Sequence, residues 1–234
     1  MSYRSIGHNR ILQATVVGLR RQRFQIMQKV LAGLPGSVTI LDIGGTPAYW
    51  DLVTAGRSND NLHVTLLNVV AIPTSHPNFT SVAGDGRAMP EFADKQFDIV
   101  FSNSTIEHAG DLRDQERMAK EIRRIGRRYC IQTPNRYFPI EAHYIFPFFQ
   151  FLPVKVRVWL VRHLRLGWYG APPGYDQVLA DVKSIRLLSR AEFQQLFPEA
   201  TIVNETWGGL VKSFVACSTG EAEVIPGNLC VERR

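Results

Sequence analysis

The pattern of apolar and polar positions along this 234-residue chain switches between a helical and a strand-like period. Over 23–34 the apolar residues recur at helical spacing, and glycine and proline then end the pattern. Short β-branched or apolar runs follow, separated by turn-rich or helical segments. They predict five strands, at 37–43, 64–67, 79–83, 97–101 and 129–132. Strands that alternate with helices are typical of a parallel sheet covered on both faces.

The last third of the chain predicts a capped helix and an antiparallel end to the sheet. Ser189 and Glu192 have capping-box spacing, in which each side chain satisfies a free backbone amide of the other residue. The runs 201–203 and 211–217 predict two more strands, and the link between them is short enough for a hairpin. The predicted fold class is α/β, with a doubly wound, seven-stranded, mostly parallel sheet and an antiparallel C-terminal hairpin. We expect one domain over 1–218 and a tail over 219–234.

The segment 138–175 does not fit a minimal domain of this kind. It is rich in aromatic residues and is interrupted by five prolines, so we interpret it as an insertion between the fifth strand and the capped helix. Within it, 154–166 mixes apolar with basic side chains, as an amphipathic helix does. Two interpretations stay open for this helix: a lid that packs its apolar face over the active site, or a peripheral contact with a membrane surface.

The composition narrows the class of protein. Hydrophobic residues make up 45% of the chain, and 27 Lys and Arg against 21 Asp and Glu give a net charge of +6. The basic residues are scattered without a compact motif and interleaved stacking aromatics, so we do not expect a nucleic-acid partner. Three cysteines far apart argue against a disulfide framework and a zinc site. The chain shows no apolar signal segment and no apolar run of membrane-spanning length, so we expect a cytoplasmic protein.

An apolar strand runs straight into the glycine-rich stretch 44–47, and this junction carries the first chemical signal. Paired glycines let the backbone turn sharply and approach a ligand without intervening Cβ atoms. A doubly wound sheet binds ligands outside the carboxyl ends of its strands. Four candidate residues fall at such ends: Gly44, Asn68, Asp85 and Ser104. The turn lacks the G-x-G-x-x-G spacing of a nicotinamide dehydrogenase, and the chain has no Walker-type phosphate loop.

In these motifs the chain resembles the class I S-adenosylmethionine-dependent methyltransferases, particularly the type 11 group, over about residues 23–217. The stretch 41–45 is similar to the first motif of that family, 84–90 to the acidic motif after the third strand, and 97–108 to the fourth strand and its turn. The resemblance implies a Rossmann-like methyltransferase fold and an enzyme with S-adenosylmethionine as its cofactor. Two positions depart from the family pattern: Thr46 stands in place of a glycine, and Asn68 in place of an acid that binds the ribose.

The resemblance also implies roles for the residues at the strand ends. Asp85 would accept a hydrogen bond from the adenine amino group, because an ionised carboxylate is a pure acceptor. Asp42 would either hold the ammonium group of the cofactor or brace the glycine turn, and the Thr46 hydroxyl could donate to the cofactor carboxylate. The predicted cofactor-binding residues are Asp42, Gly44, Gly45, Thr46, Asn68, Asp85, Gly86, Asn103 and Ser104.

Methyl transfer from a sulfonium is an in-line displacement, so placement of the acceptor supplies much of the acceleration. A hydroxyl acceptor would also benefit from a general base, and the candidates by position are His108, Glu141 and His143. His108 follows the fourth strand, whereas the other two follow the fifth. The structural alternatives are helix capping or packing for His108, and a buried pair that pins the insertion for Glu141 and His143. No His or Cys cluster has metal-ligand spacing in the sequence.

The predicted function is transfer of a methyl group from S-adenosylmethionine to an O, N or C atom of a small or lipid-like acceptor. One alternative is a non-catalytic binding or scaffold protein that retains the fold, and cofactor binding without turnover would favour it. The other alternative is a nucleic-acid methyltransferase, which only the basic charge balance supports. A steep fall of affinity with salt would be the signature of that partner.

Overall fold

The computed structural model describes residues 18, 23–30, 34, 36–54, 61–164, 166, 167, 169, 173–218 and 228–230. The strands are β1 (Val38–Ile43), β2 (Leu62–Asn68), β3 (Phe79–Ala83), β4 (Phe97–Asn103), β5 (Gly126–Pro134), β6 (Ile140–Glu141), β7 (Phe146–Pro147), β8 (Thr201–Trp207), β9 (Leu210–Ser218) and β10 (Asn228–Cys230). The helices are α1 (23–30), α2 (Pro47–Thr54), α3 (Leu112–Ile125), α4 (Val154–Leu164), α5 (Tyr175–Ser184) and α6 (Arg190–Leu196). Residues 31–33 of the predicted first helix lie outside the described residues.

The main sheet has the strand order β10-β8-β9-β5-β4-β1-β2-β3. Strands β1 to β5 pair in parallel, and β9 pairs antiparallel with both β5 and β8. The chain order reverses between β1 and β4, which makes their carboxyl ends the switch point at which doubly wound sheets bind ligands. The predicted doubly wound fold with seven strands and an antiparallel hairpin is confirmed. The short strand β10, within the predicted tail, adds an eighth strand parallel to β8 at the edge.

Each face of the sheet carries its own hydrophobic core, as near-continuous apolar strands require. Leu41 and Ile43 of β1 pack on one face with the buried residues of α3 and α6. Ile40 of the same strand packs on the other face with α1 and α2, where Trp50 is 1% exposed. Cys130 and Cys217 lie opposite each other in β5 and β9 as free thiols in this second core.

Two local predictions for the C-terminal third are confirmed. Ser189 and Glu192 form a reciprocal capping box at the start of α6. The β8–β9 hairpin turns through Gly208 and Gly209, whose φ angles are 59° and 80°. Two successive positive φ angles define the tight hairpin turn that glycine adopts without steric cost.

The insertion after β5 consists of the β6–β7 hairpin, a 3-10 turn, α4 and α5, and it ends before α6. These elements enclose a third core, whose buried members are Tyr144, Phe149, Val158, Val161, Val178 and Val182. Helix α4 forms as predicted and packs against α5, a helix that the sequence did not predict. Residues 165, 168 and 170–172 lie outside the described part of the chain. None of the described helices is long and apolar enough to cross a membrane.

Candidate functional site

The glycine turn after β1 is fixed by its contacts with two neighbouring strands. Gly44 has a φ of 79°, and its amide donates to the carbonyl of Leu67 at 2.8 Å. A Cβ atom on Gly44 would lie 2.2 Å from Oγ1 of Thr105, and one on Gly45 would lie 1.9 Å from Oδ2 of Asp42. Both positions therefore require glycine, because no larger residue fits between these side chains.

Asp42 is the buried support of this turn. It is 1% exposed, and its Oδ2 accepts a hydrogen bond of 2.8 Å from Nε1 of Trp50. Burial raises the pKa of Asp42 to about 7, although the hydrogen bond from Trp50 acts in the opposite direction. The Asp42 side chain packs under Gly45, as a brace for the turn does, and both roles that the sequence left open stay predictions.

Asn68 also holds the glycine turn, which accounts physically for its departure from the family pattern. Its Nδ2 donates to the carbonyl of Gly45 at 2.9 Å, a bond that an ionised carboxylate could not make. The hydroxyl of Thr46 accepts from the amide of Tyr49 at 3.3 Å, at the start of α2. Asn68 and Thr46 are the two residues that differ from the family pattern. The amide nitrogen of Asn68 and the hydroxyl of Thr46 are therefore bonded within the turn and the helix that follows it.

Asp85 lies just after the end of β3. The amide of Gly84, the residue before it, donates to the carbonyl of Asn68 at the end of β2, at 2.8 Å. The Arg87 guanidinium binds both carboxylate oxygens of Asp85 and lowers the pKa of that carboxyl. The Asp85 side chain is still 49% exposed, and a carboxylate has about four lone-pair sites. The Asp85 carboxylate can therefore accept a further hydrogen bond. Gly86 packs against Ile43, where a Cβ would lie 3.1 Å from Cγ2.

Asn103 and Ser104 at the end of β4 have partners in other elements. Asn103 Oδ1 accepts from Nη1 of Arg23 at 2.7 Å, and the same guanidinium pairs with the buried Glu205. Ser104 has a φ of 55°, and its hydroxyl donates to Oε1 of Gln132 at 2.7 Å. Burial raises the pKa of Glu205, but Arg23 and the neighbouring Lys212 outweigh it, and the net effect lowers that pKa to about 2.

The strand-end groups fit the cofactor that the fold class uses. The glycine turn, Asn68 and Asp85 follow three adjacent strands, so their backbone and polar groups line one edge of the sheet. Directly after Asn68, Val69 is 87% exposed and Val70 is 74% exposed. Exposed apolar side chains and a half-exposed carboxylate that follow adjacent strands are suited to a flat ring with an amino group. The edge thus offers both kinds of surface that adenosine needs.

The three predicted catalytic residues meet in one hydrogen-bonded chain. Nδ1 of His143 lies 2.6 Å from Oε1 of Glu141, and Nε2 of His143 lies 3.1 Å from Nε2 of His108. The second oxygen of Glu141 accepts from the amides of His143 and Tyr144, each at 2.8 Å. The two imidazole rings meet edge to face at 88°. Long-range folding therefore joins the turn after β4 to the insertion at this point.

The two histidines have opposite electrostatic environments. Burial and the charge of His143 lower the pKa of His108 to about 4. Burial also acts against protonation of His143, but its hydrogen bond to Glu141 outweighs burial and raises the pKa of His143. His143 is therefore the stronger base of the pair. Such opposed shifts between adjacent titratable groups are a feature of acid–base sites.

Glu107 completes this cluster, and the sequence analysis did not assign it a role. It is fully buried; its Oε2 accepts from the hydroxyl of Thr133 at 3.0 Å. Its Oε1 has no hydrogen-bond partner among the described residues and lies 3.9 Å from Nε2 of His143. Burial raises the pKa of Glu107. The only sequence signal was an acid directly before His108 in the turn after β4.

A metal ion is the alternative occupant of this cluster. One ligand atom from each of Glu107, His108 and His143 lies within 4.8 Å of the others. The sequence spacing predicted no such set, because His143 comes from a different part of the chain. Histidine and carboxylate ligands suit several divalent metals, and a second carboxylate on the remaining ring nitrogen often supports them. A chelator therefore has to be included in any test of these residues.

Part of this sequence, and its fold, are similar to known proteins. The sequence matches a methyltransferase domain model over residues 56–129, roughly a third of the chain. No curated protein matches the sequence. The structure is similar to the CurJ carbon methyltransferase, at 11% identity and a TM-score of 0.56, covering 86% of this chain and 54% of that one. This chain thus spans about half the length of that protein.

Two further structures share the architecture at low identity. A SAM-dependent methyltransferase from Aquifex aeolicus is 11% identical, with a TM-score of 0.45 and 83% and 87% of the two chains covered. A proposed zinc-dependent alcohol dehydrogenase from Rhodobacter sphaeroides is also 11% identical, with a TM-score of 0.50 and 81% and 86% covered. At such identities the likeness concerns the fold alone, and the glycine turn here lacks dehydrogenase spacing.

The domain match and the shared fold define a class I methyltransferase domain. Residues 56–129 match the methyltransferase domain model, and the fold of the chain is that of the class I S-adenosylmethionine-dependent methyltransferases. The domain match and the fold support the predictions of the class, of a methyltransferase enzyme and of S-adenosylmethionine as the cofactor. The individual cofactor-binding and catalytic assignments stay predictions.

Proposed function

We propose that this chain transfers the methyl group of S-adenosylmethionine to an O, N or C atom of a small or lipid-like acceptor. The observation that carries the proposal is the hydrogen-bonded chain from His108 through His143 to Glu141, beside the turn after β4. The glycine turn, Asn68 and Asp85 would hold the cofactor, which supplies an electrophilic methyl carbon when bound. The three-residue chain would then receive the proton that the acceptor loses.

The hydrogen bonds of the two rings give that proton a route. If His143 donates its Nδ1 proton to Glu141, its Nε2 is an acceptor, and Nε2 of His108 must donate to it. Nδ1 of His108 then carries the free lone pair. A proton taken up there makes His108 an imidazolium, which passes its Nε2 proton on to His143.

The charges around the rings favour that direction. His108, with its lowered pKa, is the weaker base and hands the proton to His143, whose pKa is raised. The positive charge on His143 is then stabilised by Glu141 and by Glu107, whose Oε1 lies 3.9 Å away. The acceptor atom meanwhile gains the methyl group as its bond to hydrogen is lost. Proton removal of this kind contributes about 10² to 10⁴ in rate.

The lipid-like part of the proposal comes from the outer surface of the insertion. Its sequence contains no Asp or Glu from 142 to 175. On α4, Trp159 is 54% exposed and Leu164 is 52% exposed, and the exposed Lys155 and Arg162 accompany them. An aromatic and basic face of this composition is suited to the surface of an anionic bilayer. Acceptors presented in vesicles therefore belong in the screen.

The first test is calorimetric titration of the purified protein with S-adenosylmethionine and S-adenosylhomocysteine, with NAD as the control ligand. We expect both adenosyl compounds to bind and NAD not to bind. A screen of methyl acceptors, with and without EDTA, follows in the same preparation. Cofactor binding without turnover on any acceptor class would support the scaffold alternative, and loss of turnover in EDTA would support the metal alternative.

His143→Ala tests the proton route itself. We expect turnover to fall about 100-fold or more, because the stronger base is lost, with unchanged affinity for S-adenosylhomocysteine. His163→Ala is the matched control, since His163 is an exposed histidine on α4. Glu141→Gln, which keeps the shape of the side chain, should give a smaller loss. Wild-type turnover in both His143→Ala and Glu141→Gln would refute the route.

A further inference from the structure

A cavity of about 210 Å³ lies between the insertion and the main domain, and Glu141 forms part of its wall. The wall also includes the polar side chains of Arg136, Gln150, Arg157 and Arg186. It is smaller than the 300 to 1,000 Å³ typical of pockets for whole drug-sized ligands. Its size therefore suits one end of a molecule whose other end lies elsewhere.

Three arginines give the cavity its charge. Arg186 is held in place by Oε1 of Gln115 at 2.7 Å and by Glu192 at 2.5 Å. Arg136 and Arg157, by contrast, make no ion pair with any described residue. Burial lowers the pKa of Arg157, which shows the cost of keeping this guanidinium out of water. Two cationic side chains of the cavity wall thus lack an ion-pair partner among the described residues, although Glu141 in the same wall attracts Arg157.

The cavity also has one unpaired donor and one unpaired acceptor. Nε of Arg157 is buried, and no hydrogen-bond partner for it exists among the described residues. The same holds for Oε1 of Gln150, whose Nε2 donates to the carbonyls of Arg136 and Phe138 at 2.8 and 2.9 Å. Buried polar atoms without partners are costly, and both of these belong to residues of the cavity wall, where a small rotation of either side chain would let it bond to a polar group bound in the cavity.

Glu141 does not prevent an anion from binding here. Both of its oxygens are already engaged, one by the ring of His143 and the other by two backbone amides. The negative charge of Glu141 is stabilised by those three donors. Glu141 also raises the pKa of His143, so that a protonated His143 would balance its charge. The carboxylate therefore forms a shared wall between the cavity and the hydrogen-bonded histidine chain.

We propose that this cavity binds an oxyanion group of the methyl acceptor, a phosphate monoester or a hydroxy acid, with Arg157 and Arg136 as its cationic ligands and Gln150 as a hydrogen-bond acceptor for its hydroxyl. Arginine suits this task because its planar donors match phosphate and carboxylate oxygens in pairs. The inference rests on the proposed function, since it is Glu141 that links the cavity to the site of proton removal. It narrows the acceptor to molecules that carry an acidic end.

The test measures binding rather than turnover, so that it is separable from the methyltransferase proposal. Inorganic phosphate and, separately, soluble dihexanoyl phosphatidic acid are titrated into the full chain, and S-adenosylhomocysteine is titrated into the same samples. The variants are Arg157→Gln and, at the exposed mouth, Arg136→Gln. Arg162→Gln is the matched control, because Arg162 lies on the same helix as Arg157 but outside the cavity wall.

We expect wild-type protein to bind both phosphate compounds, and Arg157→Gln to bind them at least about tenfold more weakly, as the loss of a charged hydrogen bond requires. Arg136→Gln should weaken binding less, and Arg162→Gln should leave the binding of inorganic phosphate unchanged. Tighter binding of phosphatidic acid than of inorganic phosphate would assign the anion to a lipid headgroup, and equal binding would assign it to a free acid.

Two results would overturn the anion site. One is normal binding of S-adenosylhomocysteine with no phosphate binding at all, which would leave the proposed function intact. The other is an equal loss in Arg157→Gln and Arg162→Gln, which would mean that phosphate associates with the basic surface of α4 and not with the cavity. Failure of S-adenosylhomocysteine to bind would instead count against the proposed function.

Discussion

The two regions that would hold the two substrates are built in different ways. The cofactor edge, meaning the strand ends with Gly44, Asn68 and Asp85, is assembled from short turns after consecutive strands. Hydrogen bonds such as that from Asn68 to Gly45 join neighbouring turns. The acceptor region depends on the insertion, where Glu141 and His143 reach back to His108 across 35 positions of sequence. Each region packs on its own core, because the insertion core shares no residue with the cores of the two sheet faces.

Under the proposed function, this difference would separate cofactor binding from the chemistry of methyl transfer. Residues on strand ends take their positions from the sheet, whose strands are fixed by packing on both faces. The proposed acceptor side takes its position from a smaller unit, which contacts the main domain through hydrogen bonds such as that between His143 and His108 and through the rings of Phe138 and Trp207. Changes in the insertion should therefore alter acceptor selection and turnover before they alter cofactor affinity.

Phe149→Ala should give the largest effect and tests whether the insertion is an independent unit. Phe149 is 1% exposed and packs on Tyr144 with ring centroids 4.3 Å apart. We expect a loss of about 3 to 5 kcal/mol in the stability of the insertion, because removal of a buried aromatic ring leaves a cavity. Hydrogen exchange should show lost protection over 140–185, with affinity for S-adenosylhomocysteine unchanged.

Phe101→Ala is the matched change in the sheet, since Phe101 is also 1% exposed but belongs to β4. It should weaken binding of S-adenosylhomocysteine along with the stability of the whole domain. If Phe149→Ala also abolished cofactor binding, the two regions would be one cooperative unit and the comparison would fail.

The same difference between the two regions explains which parts of the fold and of the site the sequence alone could predict. Period and turn chemistry were enough for the individual strands of the sheet, the β8–β9 hairpin and the capping box of α6, because each depends on residues close in sequence. The same holds for the placement of Gly44, Asn68 and Asp85 at one edge, since parallel strands share their carboxyl ends.

The acceptor side depended on contacts that no local pattern encodes. From the sequence, His108, Glu141 and His143 were separate candidates. Their hydrogen-bonded chain, and the position of Glu107 near His143, depend on how the insertion folds back onto the turn after β4. Helix α5 was missed, and so was the cavity with Arg157, since its walls come from four separate stretches of chain. The donation from Asn68 to Gly45 was missed as well, because a strand-end position alone does not show the direction of a hydrogen bond.

Gly44→Ala tests the cofactor edge. The left-handed backbone at a φ of 79° should cost a non-glycine residue about 1 to 2 kcal/mol. The overlap with Thr105 should add about 1 to 3 kcal/mol, as overpacking does in a filled core. We therefore expect lower thermal stability and weaker binding of S-adenosylhomocysteine, both measurable by calorimetry.

Gly208→Ala separates the two contributions. Gly208 also has a positive φ, of 59°, but nothing lies within 4 Å of the position of its Cβ. It should show only the backbone cost and normal cofactor binding. Equal losses in the two variants would mean that close packing against Thr105 plays no part at the turn.

Asp85→Ala should give the smallest effect and tests the most exposed part of the cofactor edge. We expect affinity for S-adenosylhomocysteine to fall by about 1 to 3 kcal/mol, because a hydrogen-bond acceptor for the adenine amino group is lost. Folding should be largely preserved, since the side chain is 49% exposed and its main partner, Arg87, is 41% exposed. Asp94→Ala is the control, because Asp94 is an acid paired with an arginine elsewhere on the surface. Wild-type affinity in Asp85→Ala would move the adenine away from this strand end, and the exposed Val69 and Val70 would then be the surface to probe next.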